Sequence, residues 1–352
     1  MSIKSPTVSA IVSAQQDSQY LLATINSVRQ QTFADLEIII LYCGHSDKLV
    51  QWFERQDDPR LRLICSQDLN LTKISNLGIS QARGEYIAFI RGEDLWHRQK
   101  LQKQVFLFNC YPTVGLIHSW LTPIQGHQRK IGHRLSGWVE PIILERNLIG
   151  YSSTIVRRSC FDKVGVFDPK LSSAIAWDLW IRLSRHYQFM TVPESLVYYR
   201  QPQDKAPESW LKTETDLQAA IEKAYSKADS ELLLIKKNRT YAYASLVLAK
   251  KVLEHHYPDP AIAHNYCRQA LEHSPKIGIS REFLQVSFGV IILHWLKSER
   301  YRHLLITSQN LGWLQIVWQK FRQTAHVLLN WMLDEEKTSQ EEISDSALNF
   351  KE

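Results

Sequence analysis

An arginine and two acids stand together at Arg91, Glu93 and Asp94, where the apolar run Tyr86-Ile87-Ala88-Phe89-Ile90 passes directly into a charged turn. The run is bounded by Gly84 and Gly92 and reads as a strand buried on both faces of a parallel sheet. In open α/β sheets the ligand lies beyond the carboxyl ends of the strands. Arg91, Gly92, Glu93 and Asp94 are therefore expected to line a binding crevice. A second charged candidate is Lys73, which opens the helical pattern Lys73–Ala82. The free N–H groups and dipole of a helix N-terminus favour anions, so Lys73 is either a phosphate contact or a solvated lysine.

The elements that must position these residues alternate along the chain. Val8–Val12, Leu36–Leu41, Leu61–Cys65 and Tyr86–Ile90 read as strands. Between them Tyr20–Gln31, Asp47–Arg55 and Lys73–Ala82 have helical spacing, with Asp47 placed to cap the second. Such alternation predicts an α/β fold, a mostly parallel Rossmann-like sheet with helices on both faces. A further helix, Arg98–Asn109, and a further strand, Val114–Trp120, continue it. Thr122–Gly137 is polar and aperiodic, either a loop over the crevice or an inert excursion.

Composition narrows the classes. The chain has 352 residues with 44% hydrophobic content, long enough for one domain of about 200 residues and a smaller one. Five scattered cysteines, without a Cys-X-X-Cys pair, argue against a disulfide framework or zinc site and for a reducing compartment. The polar stretch Met1–Thr7 shows no signal-peptide pattern, and Leu284–Leu296 is too short an apolar run to span a bilayer. A cytoplasmic protein, or one peripheral to the inner membrane face, is expected. The net charge of +6 is not concentrated in a basic groove, so no nucleic-acid partner is expected.

After a linker at 202–208 the β pattern ends. Trp210–Tyr225, Leu232–His255, Pro260–Glu272, Ile279–Leu296 and Leu311–Leu333 have helical spacing, giving an all-α region over 209–333 and an acidic, disordered tail over 334–352. Ala263, Tyr266, Ala270, Leu271 and Pro275 fall as in one tetratricopeptide-like unit. Trp295, Trp313, Trp318 and Trp331 lie near basic residues such as Lys297 and Arg322. They are either contacts between helices or a membrane-facing or partner-facing surface.

Several segments resemble the family-2 glycosyltransferases of the GT-A fold. Ser27-Val28-Arg29-Gln30-Gln31-Thr32-Phe33 is similar to the family's Ser-Val-X-X-Gln-Thr-Phe, and Leu71-Thr72-Lys73-Ile74-Ser75-Asn76-Leu77-Gly78 to its Leu-Thr-Lys-X-X-Asn-X-Gly. Val164-Gly165-Val166-Phe167-Asp168, Trp177-Asp178-Leu179-Trp180 and the closing Leu196-Val197-Tyr198-Tyr199-Arg200 follow in family order, so the resemblance covers roughly Val8 to Arg200 and implies a GT-A domain over 1–201. The family's acidic turn is Asp-X-Asp-Asp. Here Arg91 and Glu93 replace the first two acids and Asp94 matches. Tyr42-Cys43 stands where the family has a nucleoside-contacting acid pair, and Ile175-Ala176 where it has the acid pair that supplies a base.

The resemblance implies transfer of a sugar from a nucleotide-diphosphate sugar to a glycan or lipid-linked acceptor in polysaccharide biosynthesis, by an inverting mechanism. Lys73, Asn76, Arg91, Glu93 and Asp94 would bind the donor diphosphate. Asp178 would be either the base or a packing residue. Manganese or magnesium would sit on Glu93 and Asp94, if on any residues here. Otherwise the guanidinium of Arg91, which can pair bidentately with diphosphate oxygens, would replace the ion together with Lys73. The alternative is a catalytically degenerate domain that binds a ligand or scaffolds an assembly complex.

Overall fold

The computed structural model describes residues 5–15, 19–43, 47–66, 70–124, 130–200, 209–226, 230–255 and 258–295. Gly44, the expected linker at 202–208, the expected helix over 311–333 with Trp313, Trp318 and Trp331, Lys297 and Arg322, and the acidic tail lie outside the described residues, as does the side chain of Trp295. The chain divides into two compact units, Met1–Ala244 and Ser245–Glu352.

In the first unit β1 (Val8–Gln15), α1 (Leu21–Arg29), β2 (Leu36–Cys43), α2 (Asp47–Glu54), β3 (Leu61–Ser66), α3 (Leu71–Gln81) and β4 (Tyr86–Arg91) alternate as the apolar pattern requires. Asp47 is the first residue of α2. There follow β5 (Leu95–Trp96), α4 (Lys100–Cys110), β6 (Val114–Pro123), α5 (Glu140–Glu145), a 3-10 turn at Tyr151–Ser153, β7 (Ile155–Arg157), α6 (Ser159–Val164), α7 (Ile175–Ser184) and β8 (Gln188–Tyr199). They form one eight-stranded sheet in the order β3-β2-β1-β4-β7-β6-β8-β5. The first four strands are parallel, β7 is antiparallel to both its neighbours, β6 and β8 are parallel, and β5 runs antiparallel to β8. The unit continues through α8 (Ser209–Ala224) and into α9 (Glu231–Glu254).

Both faces of the parallel half are covered, which is why its strands read as continuous apolar runs. Alternate residues Val8, Ala10, Val12, Ile38 and Ile40 share a core with Leu21, Ile25 and Val28 of α1 and Leu101, Val105 and Phe108 of α4. The intervening residues meet α3. A Cβ on Gly78 would come within 2.7 Å of Leu41 and 2.8 Å of Ile11, so only glycine allows this helix to lie as close to the sheet as it does. The aperiodic segment after β6 folds back beside the sheet, with Ile131 bridging Leu121 and Gly137 bridging Phe189.

In the second unit the end of α9 is followed by α10 (Pro260–His273), a 3-10 turn at Pro275–Ile279 and α11 (Arg281–Trp295). Asp259 caps α10 by accepting from the N–H groups of Ala261 and Ile262, with Pro260 in the first position. The helix buries Ala263, Tyr266, Cys267 and Ala270, and it packs with α11. Among the described residues no helix is long and apolar enough to cross a membrane.

One buried charge ties three parallel strands together at the end opposite the crevice. Glu37 of β2 accepts from Ser9 Oγ of β1 at 2.7 Å, from the N–H of Arg83 at 2.7 Å and from the guanidinium of Arg62 on β3 at 2.9 Å. Burial alone would raise its pKa, but these bonds, with Arg83 Nε as the last donor, outweigh it and hold the group below its ordinary value. A lowered folded pKa stabilises the native state above the unfolded value, roughly pH 4, and that contribution fades as pH falls through the folded value. Glu37→Gln should therefore cost about 1–3 kcal/mol at neutral pH. In urea denaturation the difference from the parent protein should shrink below about pH 4; a constant difference down to lower pH would contradict this assignment.

Candidate functional site

At the carboxyl ends of β1 and β4 the turn Gly92-Glu93-Asp94 follows Arg91. The N–H of Gly92 donates to Ser13 O of β1 at 2.8 Å, and a Cβ there would stand 2.7 Å from that of Ala14, so the turn is drawn tightly against the strand. Arg91 and Glu93 are exposed, whereas Asp94 is only 5% exposed. Its carboxylate is engaged on both oxygens. Oδ2 accepts from Ser152 Oγ at 2.5 Å, and Oδ1 accepts from the N–H of Arg200 at 3.0 Å, just beyond β8. Ser152 Oγ in turn accepts from the N–H of Arg91 at 3.1 Å. Desolvation is the largest influence on Asp94 and raises its pKa; Ser152, the Arg200 N–H and the charge of Arg91 oppose it without reversing it.

The 3-10 turn carrying Ser152 is held from both sides of the sheet. Trp96 Nε1 donates to Ser152 O at 2.8 Å and Gln104 Nε2 to Ser153 O at 2.9 Å. Behind them the fully buried Lys100 donates to Gln104 Oε1 at 2.8 Å and lies 4.1 Å from the Trp96 ring centroid. On the opposite face Tyr151 shares a hydrogen bond of 3.0 Å with Ser75 of α3 and packs on Phe89 and Phe167.

At the start of α3, Asn70 caps the helix by accepting from the N–H groups of Thr72 and Lys73, and Lys73 is exposed in the first turn. Asn76 faces elsewhere: its amide donates to Phe167 O at 2.9 Å and accepts from Phe167 N at 3.0 Å. Thr72 Oγ1 donates to Leu171 O at 2.7 Å. Two polar residues of the Leu-Thr-Lys-X-X-Asn-X-Gly stretch thus grip the 167–171 loop that leads into α7, and its glycine seats α3 on the sheet.

The other side of that loop is gripped by α8. Asp216 Oδ2 accepts from the N–H and hydroxyl groups of both Ser172 and Ser173 at 2.6–2.9 Å. Two turns later Lys223 pairs with Asp168 at 2.7 Å and with Asp178 at 2.8 Å. Arg182 also pairs with Asp178, at 2.7 Å, and donates to the carbonyls of Val164 and Val166. Asp178 is therefore a buried carboxylate enclosed by two cations, and Ile175 and Ala176 before it are buried apolar residues.

Arg91, Glu93 and Asp94 thus meet at the strand ends. Asn76 and Asp178 belong to the packing around α7. Sequence reasoning missed Ser152, Tyr151, Asp216 and Lys223 as supports. Nothing in the polar face of α8 marks Asp216 or Lys223 as contacts of α7. Among the described residues no group of three or more His, Cys, Asp or Glu side chains comes together that could hold a metal ion. With both Asp94 oxygens engaged and a guanidinium in the same turn, the residues present do not fit a divalent cation.

Residues 9–162 match the model of glycosyl transferase family 2. The chain is 29% identical over 212 residues to an uncharacterized glycosyltransferase of Nostoc sp., spanning 55% of this chain and 64% of the relative. It is 24% identical over 193 residues to an uncharacterized glycosyltransferase of Rickettsia typhi, spanning 51% of this chain and 59% of that one. The chain thus covers less than two thirds of either relative. Among solved structures, a mannosyltransferase of Pyrobaculum calidifontis in complex with GDP-Man and Mn2+ superposes with a TM-score of 0.56 at 16% identity, over 93% of this chain and 88% of that one. The fold is that of the GT-A glycosyltransferases.

The surroundings of Asp94 set a pH signature opposite to that of Glu37. A carboxylate whose folded pKa is raised costs stability above that pKa, and the cost disappears as pH falls below the unfolded value, about 4. Asp94→Asn preserves the shape, can still accept from the Arg200 N–H, and can donate to Ser152. It should match or exceed the parent protein in denaturation midpoint at pH 7, with any gain vanishing toward pH 4. Ser152→Ala, which leaves the buried carboxylate without its hydroxyl donor, should lose about 1–3 kcal/mol. A large loss with Asp94→Asn at pH 7 would show that the ionised form is favoured by its site.

Proposed function

We propose that the first unit is a glycosyltransferase domain that binds a nucleotide-diphosphate sugar at the β1–β4 crevice without a divalent cation, Arg91 serving as the cationic partner of the diphosphate and Lys73 assisting from the start of α3. The observation that carries this reading is the charge of the turn. In the Asp-X-Asp-Asp form three carboxylates and a divalent cation sum to one negative charge. Here one guanidinium and two carboxylates reach the same sum with no ion. Adding a cation would leave an excess positive charge beside Arg91. The guanidinium also offers two parallel donors, a geometry suited to phosphate oxygens.

In such a domain the acceptor hydroxyl, on a glycan or lipid-linked saccharide in polysaccharide assembly, would displace the nucleoside diphosphate with inversion at the anomeric carbon. The diphosphate takes the bonding electrons, and positive groups stabilise it as it leaves. Asp94, Asn76 and the loop before α7 hold the walls, and Glu93 is exposed at the rim.

A second reading, donor binding without turnover, is favoured by one specific feature. The acceptor proton needs a base, and the acid that stands at the expected position among the described residues, Asp178, is buried and already paired with Arg182 and Lys223. Under that reading the domain is a binding or scaffold element of an assembly complex.

Thermal unfolding with a panel of nucleoside diphosphates, in manganese or in chelator, tests the cation-free donor site. A ligand at a hundredfold excess over its dissociation constant stabilises by about 2.7 kcal/mol. Stabilisation by one nucleotide that survives the chelator is expected. Arg91→Asp, which restores the three acids, should weaken binding at least roughly tenfold in chelator, as loss of a charge-assisted bond requires, and recover part of it with manganese. Stabilisation of the parent protein only with manganese would refute the proposal. Sugar release or transfer by the parent protein would then separate the two readings.

A further inference from the structure

Arg200 lies where three parts of the crevice converge. It follows β8, whose Tyr198 and Val197 pair with Leu95 and Trp96 directly after the charged turn. Its N–H is bonded to Asp94, the carboxylate on which Arg91 also acts. Its guanidinium carbon lies 3.7 Å from the ring centroid of Tyr20, in the connection that leaves the carboxyl end of β1 and enters α1.

Two features distinguish this guanidinium from an ordinary surface arginine. The stacking on Tyr20 fixes its plane through the ring's π-face, an interaction that uses none of the in-plane N–H donors. And Nε is buried without a hydrogen-bond partner among the described residues. Buried donors are nearly always paired, and one that is not calls for a ligand or another physical reason. Arg157 also carries a buried Nε without a hydrogen-bond partner among the described residues, but it does not lie at the charged turn: it is at the opposite end of β4, across from Tyr86.

We infer that Arg200 is a second anion-binding arm of the crevice, oriented by Tyr20, and that Arg91 and Arg200 together hold the diphosphate of a nucleotide. The inference rests on the donor-site reading given above and adds to it. Two guanidinium groups on separate elements offer donors to both phosphates, so they recognise a diphosphate rather than a nucleoside or a single phosphate. Because Arg200 is bonded to Asp94 through its backbone, its side chain can be exchanged without removing that bond.

Calorimetric titration of the full chain in chelator, with uridine and guanosine and their mono- and diphosphates, tests the inference. For whichever diphosphate binds the parent protein, Arg200→Met should lower the affinity by roughly ten- to a hundredfold, the range of a hydrogen-bonded charge. The matching nucleoside should bind equally to both proteins. Arg200→Lys should fall between them, because it keeps the charge and loses the planar fork. Tyr20→Leu should weaken diphosphate binding less than Arg200→Met, since only the orientation is lost. Diphosphate affinity within twofold of the parent in Arg200→Met would overturn the inference while leaving the donor site standing. An equal loss for nucleoside and diphosphate would also overturn it, by making Arg200 a general packing residue. A parent protein that binds none of these compounds would refute the donor site itself, and the role of Arg200 with it.

Discussion

The carboxylate of Asp94 is the point on which the crevice depends. It is an acid withdrawn from water, and a buried charge is tolerated only where hydrogen bonds compensate it. The compensation comes from two distant parts of the chain, the hydroxyl of Ser152 and the backbone of Arg200. One side chain thereby fixes the turn after β4 against the 3-10 turn before β7 and against the end of β8. Arg91 and Glu93 remain exposed because their neighbour has taken the structural role.

A similar division of labour runs through α7 and α8. The loop at 167–173 is clamped by Thr72 and Asn76 from α3 and by Asp216 and Lys223 from α8. The clamp from α8 lies beyond the segment matched by the family model, yet it belongs to the same compact unit. Asp178 joins this network as an ion-pair partner of Lys223 and Arg182. Buried pairs of this kind contribute little net stability, but loss of one member is costly because the other is left buried and uncompensated. The network therefore favours one arrangement of the α7 start over others, a role distinct from proton transfer.

Most of the sheet was legible in the sequence. The runs Val8–Val12, Leu36–Leu41, Leu61–Cys65 and Tyr86–Ile90 are strands because both their faces are covered, and that double burial leaves an uninterrupted apolar signal. The charged turn was legible for the complementary reason, since charge directly after such a run must lie at a strand end. What could not be read was which acid is exposed. Glu93 and Asp94 are adjacent and chemically alike, and only the distant hydroxyl of Ser152 decides that one is buried. Nor could the partners of Asn76 be read. An asparagine in a helix beside a candidate phosphate site looks like a ligand until the backbone of Phe167, far along the chain, is seen to take up its amide. The place of α8 was hidden likewise, because its polar residues fit a solvated helix as well as one that grips a loop.

The substitution of Arg91 is coherent with the rest of the site only if the turn is considered as a whole. Placed among three acids, a single guanidinium would neutralise one and leave a divalent cation attracted to the other two. In this chain one of the remaining acids is already turned inward, and each of its oxygens accepts a hydrogen bond, from Ser152 or from the Arg200 N–H. Glu93 alone is left at the surface of the turn, and one carboxylate beside a fixed positive charge is a poor ligand for a divalent cation, which takes several oxygens and usually more than one carboxylate. The loss of the first acid and the inward commitment of the last therefore act together: they leave one exposed carboxylate and one exposed guanidinium where the acidic form of the turn presents several oxygens to a metal.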